Sequence, residues 1–168
     1  MNRWRRLAAN ALGAWWATER YFPESSFERI AARIAESETG HRGNIVFAIE
    51  ARIGLKSVAR GCTPRQRAEE VFAQLEVWNT AENAGILVYA LLAERAIEIV
   101  ADRGIARVVP DPQWSRICLD TAAAFARGEF LAGALTAVDA LSGLLRQALP
   151  ALPDIPREND LIDRPVLL

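Results

Sequence analysis

Residues 77–105, VWNTAENAGILVYALLAERAIEIVADRGI, constrain the fold of this chain more than any other stretch. Within it, 86–93 is an almost unbroken apolar run of strand length, which predicts a central strand covered on both faces. Asn83-Ala84-Gly85 ahead of it and Asp102-Arg103-Gly104 behind the next apolar run supply turn residues at both ends. A tight turn at Glu94-Arg95 then predicts that Ala96 to Ala101 return as an antiparallel strand. The stretch as a whole reads as a helix end, a buried strand, a hairpin turn and a returning strand.

The flanking sequence supplies the layers that such a strand needs. Residues 23–38 read as a helix, with Ser25 and Glu28 in capping-box spacing and Phe27, Ile30, Ala31 and Ile34 as its apolar stripe. In NIVFAIEARI, Ile45, Phe47, Ile49, Ala51 and Ile53 share one strand face, while the other changes from Val46 and Ala48 to Glu50 and Arg52. That strand is expected to be half open at its far end. Thr63-Pro64-Arg65-Gln66 forms a second capping box, and Ala68, Val71, Phe72, Leu75 and Trp78 continue one face. One helix between two strands calls for parallel pairing through a right-handed crossover.

Asp111 is expected to cap a further helix that turns Trp114, Ile117, Cys118, Thr121 and Phe125 inward and stops at Arg127-Gly128. A last helix over 129–149 carries Leu131, Leu135, Val138, Leu141, Leu145 and Leu149 on a broad apolar side. The result is an α/β domain whose small mixed sheet combines a parallel crossover with one antiparallel hairpin. Residues 150–168 are proline-rich and without period, so they read as an extended, poorly ordered tail.

With 168 residues the chain is one domain's worth, able to bury roughly 68–70% of its unfolded surface. Lysine plus arginine number 20 against 21 for aspartate plus glutamate, so no net charge draws it to nucleic acid. Cys62 and Cys118 show neither CxxC nor metal-ligand spacing and are expected to be reduced, which suits the cytoplasm. No transmembrane segment is expected, because spanning a bilayer takes roughly 20 mostly apolar residues. Residues 1–21 come nearest to a leader, but Asn10 interrupts the apolar run and Thr18-Glu19-Arg20 replaces a cleavage site. Trp4, Leu7, Ala8, Ala11, Leu12, Trp15 and Trp16 fall near one side of a helix led by Arg3, Arg5 and Arg6. Such a helix is expected to dock on its own domain or on a second copy; contact with the inner-membrane surface is the other reading.

Catalytic devices are mostly missing. The sequence has no P-loop, no GxGxxG and no nucleophile elbow. His41 is the only histidine and reads as a loop residue. The hairpin, however, brings 83–85 beside 102–105, so Glu82, Asn83, Asp102 and Asp111 can gather oxygens suited to Ca²⁺ or Mg²⁺. The competing reading gives Asp111 to a helix cap, Asn83 to the turn and Asp102 to Arg103 or Arg107. At the opposite edge, Glu50 and Glu94 form a second acidic pair near the strand carboxyl ends, where open α/β sheets bind ligands.

Residues 36–50, ESETGHRGNIVFAIE, followed by 77–105 and by VVPDPQW, resemble the TPM domain family over about 22–149. That family includes plant thylakoid-lumen proteins of photosystem repair, a modulator of acetylcholine receptors and many bacterial proteins. The resemblance implies a three-layer α/β/α Rossmann-like sandwich, in some members with divalent metal in acidic loops; plant relatives are credited with acid phosphatase activity. The family's NNG or DNG is matched by Asn83-Ala84-Gly85, its Asp-Arg hairpin turn by Glu94-Arg95 and its helix-opening Asp by Asp111. Its Gly-x-Gly appears as Asp102-Arg103-Gly104. By resemblance this is the compact, cytoplasmic bacterial type, and a LemA-type membrane protein is a partner such relatives suggest. The expected function is a non-catalytic protein-interaction module. The alternative is a divalent-metal-dependent acid phosphatase, its metal held by Asp102 and Asp111 and its substrate positioned by Asn83.

Overall fold

A computed structural model describes residues 2–12, 16–152 and 161–168, with 16 and 17 described through their backbone alone. Three helices lead the chain: α1 (Arg3–Leu12), α2 (Trp16–Tyr21) and α3 (Glu24–Glu38). Strand β1 (Asn44–Glu50) follows, then the short α4 (Leu55–Ala59) and α5 (Pro64–Gln74). The hairpin β2 (Gly85–Leu91) and β3 (Ala96–Ala101) leads through α6 (Arg103–Ala106) to α7 (Asp111–Ala126) and α8 (Phe130–Ala148). A two-residue strand β4 (Val166–Leu167) completes the sheet, in the order β3-β2-β1-β4.

Pairing follows the expected topology. Strands β1 and β2 run parallel, with Phe47 opposite Val88, and β2 and β3 run antiparallel, with Val88 opposite Ile99. Arg95 turns the hairpin at φ 50°. Every residue of β1 and β2 is buried, so both strands are covered on two faces. Side-chain alternation divides their apolar residues into two cores. Ile45, Phe47, Ile49, Ile86, Val88 and Ile99 meet α3, α7 and α8 through Ile34, Ile117, Val138 and Leu141. On the other face, Val46, Ala48, Leu87 and Val100 meet Val58 of α4 and Ala68 and Val71 of α5. Helices on both faces of one mixed sheet make a three-layer α/β/α sandwich.

Local chemistry explains most element ends. Thr63 caps α5 reciprocally: its hydroxyl accepts from the Gln66 N–H at 3.1 Å, and its own N–H donates to Gln66 Oε1 at 2.9 Å. The other two expected caps are not made. Pro23 occupies the N-cap of α3 and Pro110 that of α7, neither with a side-chain hydrogen bond, so Ser25 and Asp111 lie inside their helices. Proline's fixed φ starts each helix without a capping oxygen. Trp78, expected on the inward face, is half exposed.

The two ends of the chain depart furthest from expectation. Residues 166–167 of the tail pair in parallel with Ala48 and Ile49, which places β1 inside the sheet; 153–160 of the expected loose tail lie outside the described residues. At the amino end α1 docks mainly with its polar side, with Leu7 packing on the second core. Asn10 is fully buried, whereas Trp4 is 77% and Leu12 82% exposed. The side chains of Trp15 and Trp16 lie outside the description. Among the described residues, no helix is long and apolar enough to cross a membrane.

Candidate functional site

Charge gathers at two edges of the sheet. At the first, the loop entering β2 meets the end of β3. Asn83 adopts φ 53°, a left-handed conformation in which asparagine is several-fold enriched. Gly85 then passes directly against the chain leaving α5: a Cβ there would lie 1.8 Å from the Val77 carbonyl oxygen. The Asp102 N–H donates to the Gly85 carbonyl and the Gly104 N–H to the Asn83 carbonyl, each at 2.9 Å. Backbone hydrogen bonds thus hold 83–85 against 102–104, the juxtaposition that the hairpin implied.

The side chains at this edge are engaged with one another. Asp102 caps α6, its Oδ1 accepting from the Arg103 N–H at 2.7 Å. Its Oδ2 is buried and has no hydrogen-bond partner among the described residues. Arg103 reaches back over the turn and donates to Asn83 Oδ1 from Nε at 3.0 Å and from Nη2 at 2.8 Å. Glu82 is paired with Arg42. Asp111 stands apart on the exposed first turn of α7 and shares no hydrogen bond with Asn83 or Asp102 among the described residues.

The second edge lies at the carboxyl ends of β1 and β2. Glu50 is buried rather than half open, and its carboxylate accepts from the Tyr89 hydroxyl at 2.6 Å and from Arg67 Nε and Nη2 at 2.9 and 3.2 Å. Burial first, and then donation to Glu50, pushes the Tyr89 phenol well above its ordinary value. Glu94 keeps only 4% of its side chain exposed. It accepts from Arg6 Nε at 2.6 Å, Arg6 Nη2 at 3.0 Å and Asn10 Nδ2 at 2.8 Å. Asn10 completes the junction by accepting from the Ile53 N–H at 2.8 Å. Burial raises the Cys62 thiol above its ordinary value, which works against a thiolate nucleophile here.

Glu50 and Glu94 were visible as acids near the strand ends; their partners were not. Arg6, Asn10 and Arg67 come from elements distant in sequence, and no periodicity marks them. The one available signal was Asn10 itself, a polar residue within an apolar run, which marks the contact rather than breaking the helix.

A family model for the TPM domain matches residues 18–144. The chain belongs to the TPM domain family. Among solved structures, this TPM domain is similar to the BA42 protein of the psychrophilic bacterium Bizionia argentinensis, at 22% identity and a TM-score of 0.74 over 85% of this chain and 92% of that one. It is also similar to the N-terminal domain of a P. gingivalis protein, at 19% identity and a TM-score of 0.59 over 75% and 77% of the two chains. At such identities the likeness shows a shared fold. No curated protein matches.

The divalent metal that the family resemblance implies at Asn83, Asp102 and Asp111 does not fit these side chains. A cation at Asn83 Oδ1 has to displace the guanidinium already donating to it. Asp102 Oδ1 serves α6, and Asp111 is not drawn to the other two. Among the described residues, no group of three or more His, Cys, Asp or Glu side chains is arranged to hold a metal ion. Asp102 Oδ2 remains as one buried acceptor, short of the six to eight oxygens that calcium takes.

Proposed function

We propose that this TPM domain acts as a non-catalytic interaction module for a membrane-associated protein partner, of which a LemA-type protein at the cytoplasmic face of the inner membrane is the candidate. The observation that carries this reading is that the two carboxylates near the carboxyl ends of β1 and β2 are held by the chain's own arginines, while a third arginine occupies the Asn83 side chain at the other edge. Arg67 neutralises Glu50, Arg6 neutralises Glu94 and Arg103 covers Asn83. A general base or nucleophile needs a carboxylate that reaches substrate, and a carboxylate held by a bidentate arginine inside the domain does not. These groups hold elements together, leaving the outer surfaces for recognition.

The alternative, a metal-dependent phosphomonoesterase, has one observation in its favour, the unpartnered Asp102 Oδ2. Purified full chain assayed on p-nitrophenyl phosphate with Mg²⁺, Ca²⁺ and Mn²⁺ separates the two. No turnover is expected with any metal, together with saturable binding to the LemA-type protein of the same organism in detergent. Turnover that needs metal and disappears in Asp102→Ala overturns the interaction reading.

A further inference from the structure

We infer that the outward face of α1 is a docking surface for an anionic lipid bilayer. The helix is inverted relative to an ordinary surface helix, which buries its apolar stripe and shows its polar one to water. Here Arg6 and Asn10 face inward, tied to Glu94, the Ile53 N–H and the Cys62 carbonyl. Arg3 donates to the Ala59 carbonyl at 2.6 Å, so the helix is clamped along 53–62 by polar contacts. Trp4 and Leu12 consequently stand in water, at 77% and 82% exposure, and α4, which packs against α1, carries a further exposed leucine, Leu55. Exposed apolar groups grouped on one rigidly held element mark an interaction site rather than ordinary surface scatter.

The charges around this face choose the occupant. Residues 1–18 and 51–68 contain no aspartate or glutamate. Arg5, Arg52, Lys56 and Arg60 are exposed there, and none forms an ion pair among the described residues. Glu94, the acid reached by α1, is buried and already neutralised by Arg6. The surface therefore presents tryptophan and leucine among unpaired basic side chains, and Glu70, an exposed acid acting on Cys62, is paired with Arg67. A second copy bringing the same face would meet like charge, which disfavours a two-fold dimer through it. An anionic bilayer satisfies both features: arginine and lysine meet its negative headgroups, while tryptophan and leucine enter the boundary with the acyl chains. The other apolar surface of note, an open cleft of about 670 Å³ lined by Phe22, Phe27 and Leu167, lacks this charge: its Arg164 is paired with Glu24.

Membrane docking at α1 does not depend on whether the charged edges are catalytic. Flotation of the full chain with vesicles of phosphatidylcholine alone and of phosphatidylcholine containing phosphatidylglycerol tests it. Binding is expected to the anionic vesicles only and to be lost at high salt. The double variant Trp4→Ser, Leu12→Ser changes two exposed side chains and should leave the melting curve intact while lowering binding about tenfold or more. Arg5→Glu with Lys56→Glu should lower it by about fivefold or more per charge. Equal flotation with both vesicle types, or none, overturns the inference. So does a stable dimer by light scattering, or saturable binding to an acidic protein, that the Trp4, Leu12 variant abolishes in the absence of any vesicle binding.

Discussion

The guanidinium of Arg103 lies across the Asn83 side chain, donating to its Oδ1 from two nitrogens at 3.0 and 2.8 Å. It places a fixed cation at the edge that a divalent ion would have to enter. Ca²⁺ and Mg²⁺ should therefore leave the wild-type melting midpoint unchanged. In Arg103→Ala, Asn83 Oδ1 is freed, but with Asp102 Oδ2 it still falls short of the oxygens that Ca²⁺ takes, so the midpoint should again not respond. A site filled at a hundredfold excess over its dissociation constant would add about 2.7 kcal/mol. A rise of that size in the variant alone would make Arg103 the reason the wild type takes no metal, and a rise in both proteins would overturn this reading of the edge.

Gly85 should be intolerant of any side chain. A Cβ at this position would stand 1.8 Å from the Val77 carbonyl oxygen and 3.0 Å from Val77 Cγ1, with a buried strand on one side and the end of α5 on the other. Gly85→Ala is expected to cost about 3 kcal/mol or more, measured by urea unfolding. A loss under about 1 kcal/mol would show that the α5–β2 loop yields freely.

Alkaline stability should depend on Tyr89 and Cys118. Both groups are raised in the folded protein, Tyr89 by burial and its bond to Glu50, and Cys118 by burial to about 11. A raised group contributes in full below its unfolded value and loses that contribution as the pH climbs through the folded one. Stability should thus fall above about pH 8.5 as unfolded cysteine ionises, and more steeply above about pH 10 as unfolded tyrosine does. Tyr89→Phe should cost about 2 kcal/mol at neutral pH, as expected for a hydrogen bond to a charged group, and should flatten the steeper part of the alkaline decline. An unchanged slope in that variant would count against the assignment.

Glu98 carries the same sign into the acid range. Burial raises its carboxyl, with Glu69 adding to the effect and Arg65 opposing it. A raised carboxyl favours folding below the ordinary glutamate value, about 4.3, and loses that benefit as the pH rises. Glu98→Gln should therefore raise the midpoint at neutral pH, and the gain should vanish in acid. A gain that is the same at both pH values would mean that packing, not ionisation, is responsible.

Truncation after Leu152 should destabilise the domain by about 1–2 kcal/mol, because the Leu168 N–H no longer donates to Ile49 and the β1 edge opens. It should also promote association, since an unpaired buried-type edge is a template for another strand. Unfolding by urea and light scattering check both effects.

The sheet was legible because its signals are local. An apolar run of strand length, bounded by Asn83-Ala84-Gly85 and by Glu94-Arg95, fixes two strands and their antiparallel return. The Thr63–Gln66 box fixes the start of the crossover helix. The orientation of α1 was not legible, because polar contacts dominate its docking surface, with Leu7 packed on the core: Glu94 and the Ile53 N–H demand Arg6 and Asn10, which face away from the tryptophan side. β4 escaped notice because two residues in a proline-rich tail carry no period. At the candidate site, the approach of Asn83 to Asp102 followed from the hairpin, but the reach of Arg103 over the turn depends on tertiary packing that spacing does not encode.

The pairing of Val166 and Leu167 with Ala48 and Ile49 also bears on how the domain is made. Among the four strands, β1 leaves the ribosome first and β4 last, with every described helix from α4 to α8 in between. Until β4 emerges, the nascent domain exposes a hydrophobic strand edge on a body otherwise able to collapse, a species that aggregates readily and attracts chaperones. Slow translation of the segment ahead of 166–167 would lengthen that interval, and the yield of folded protein would register it.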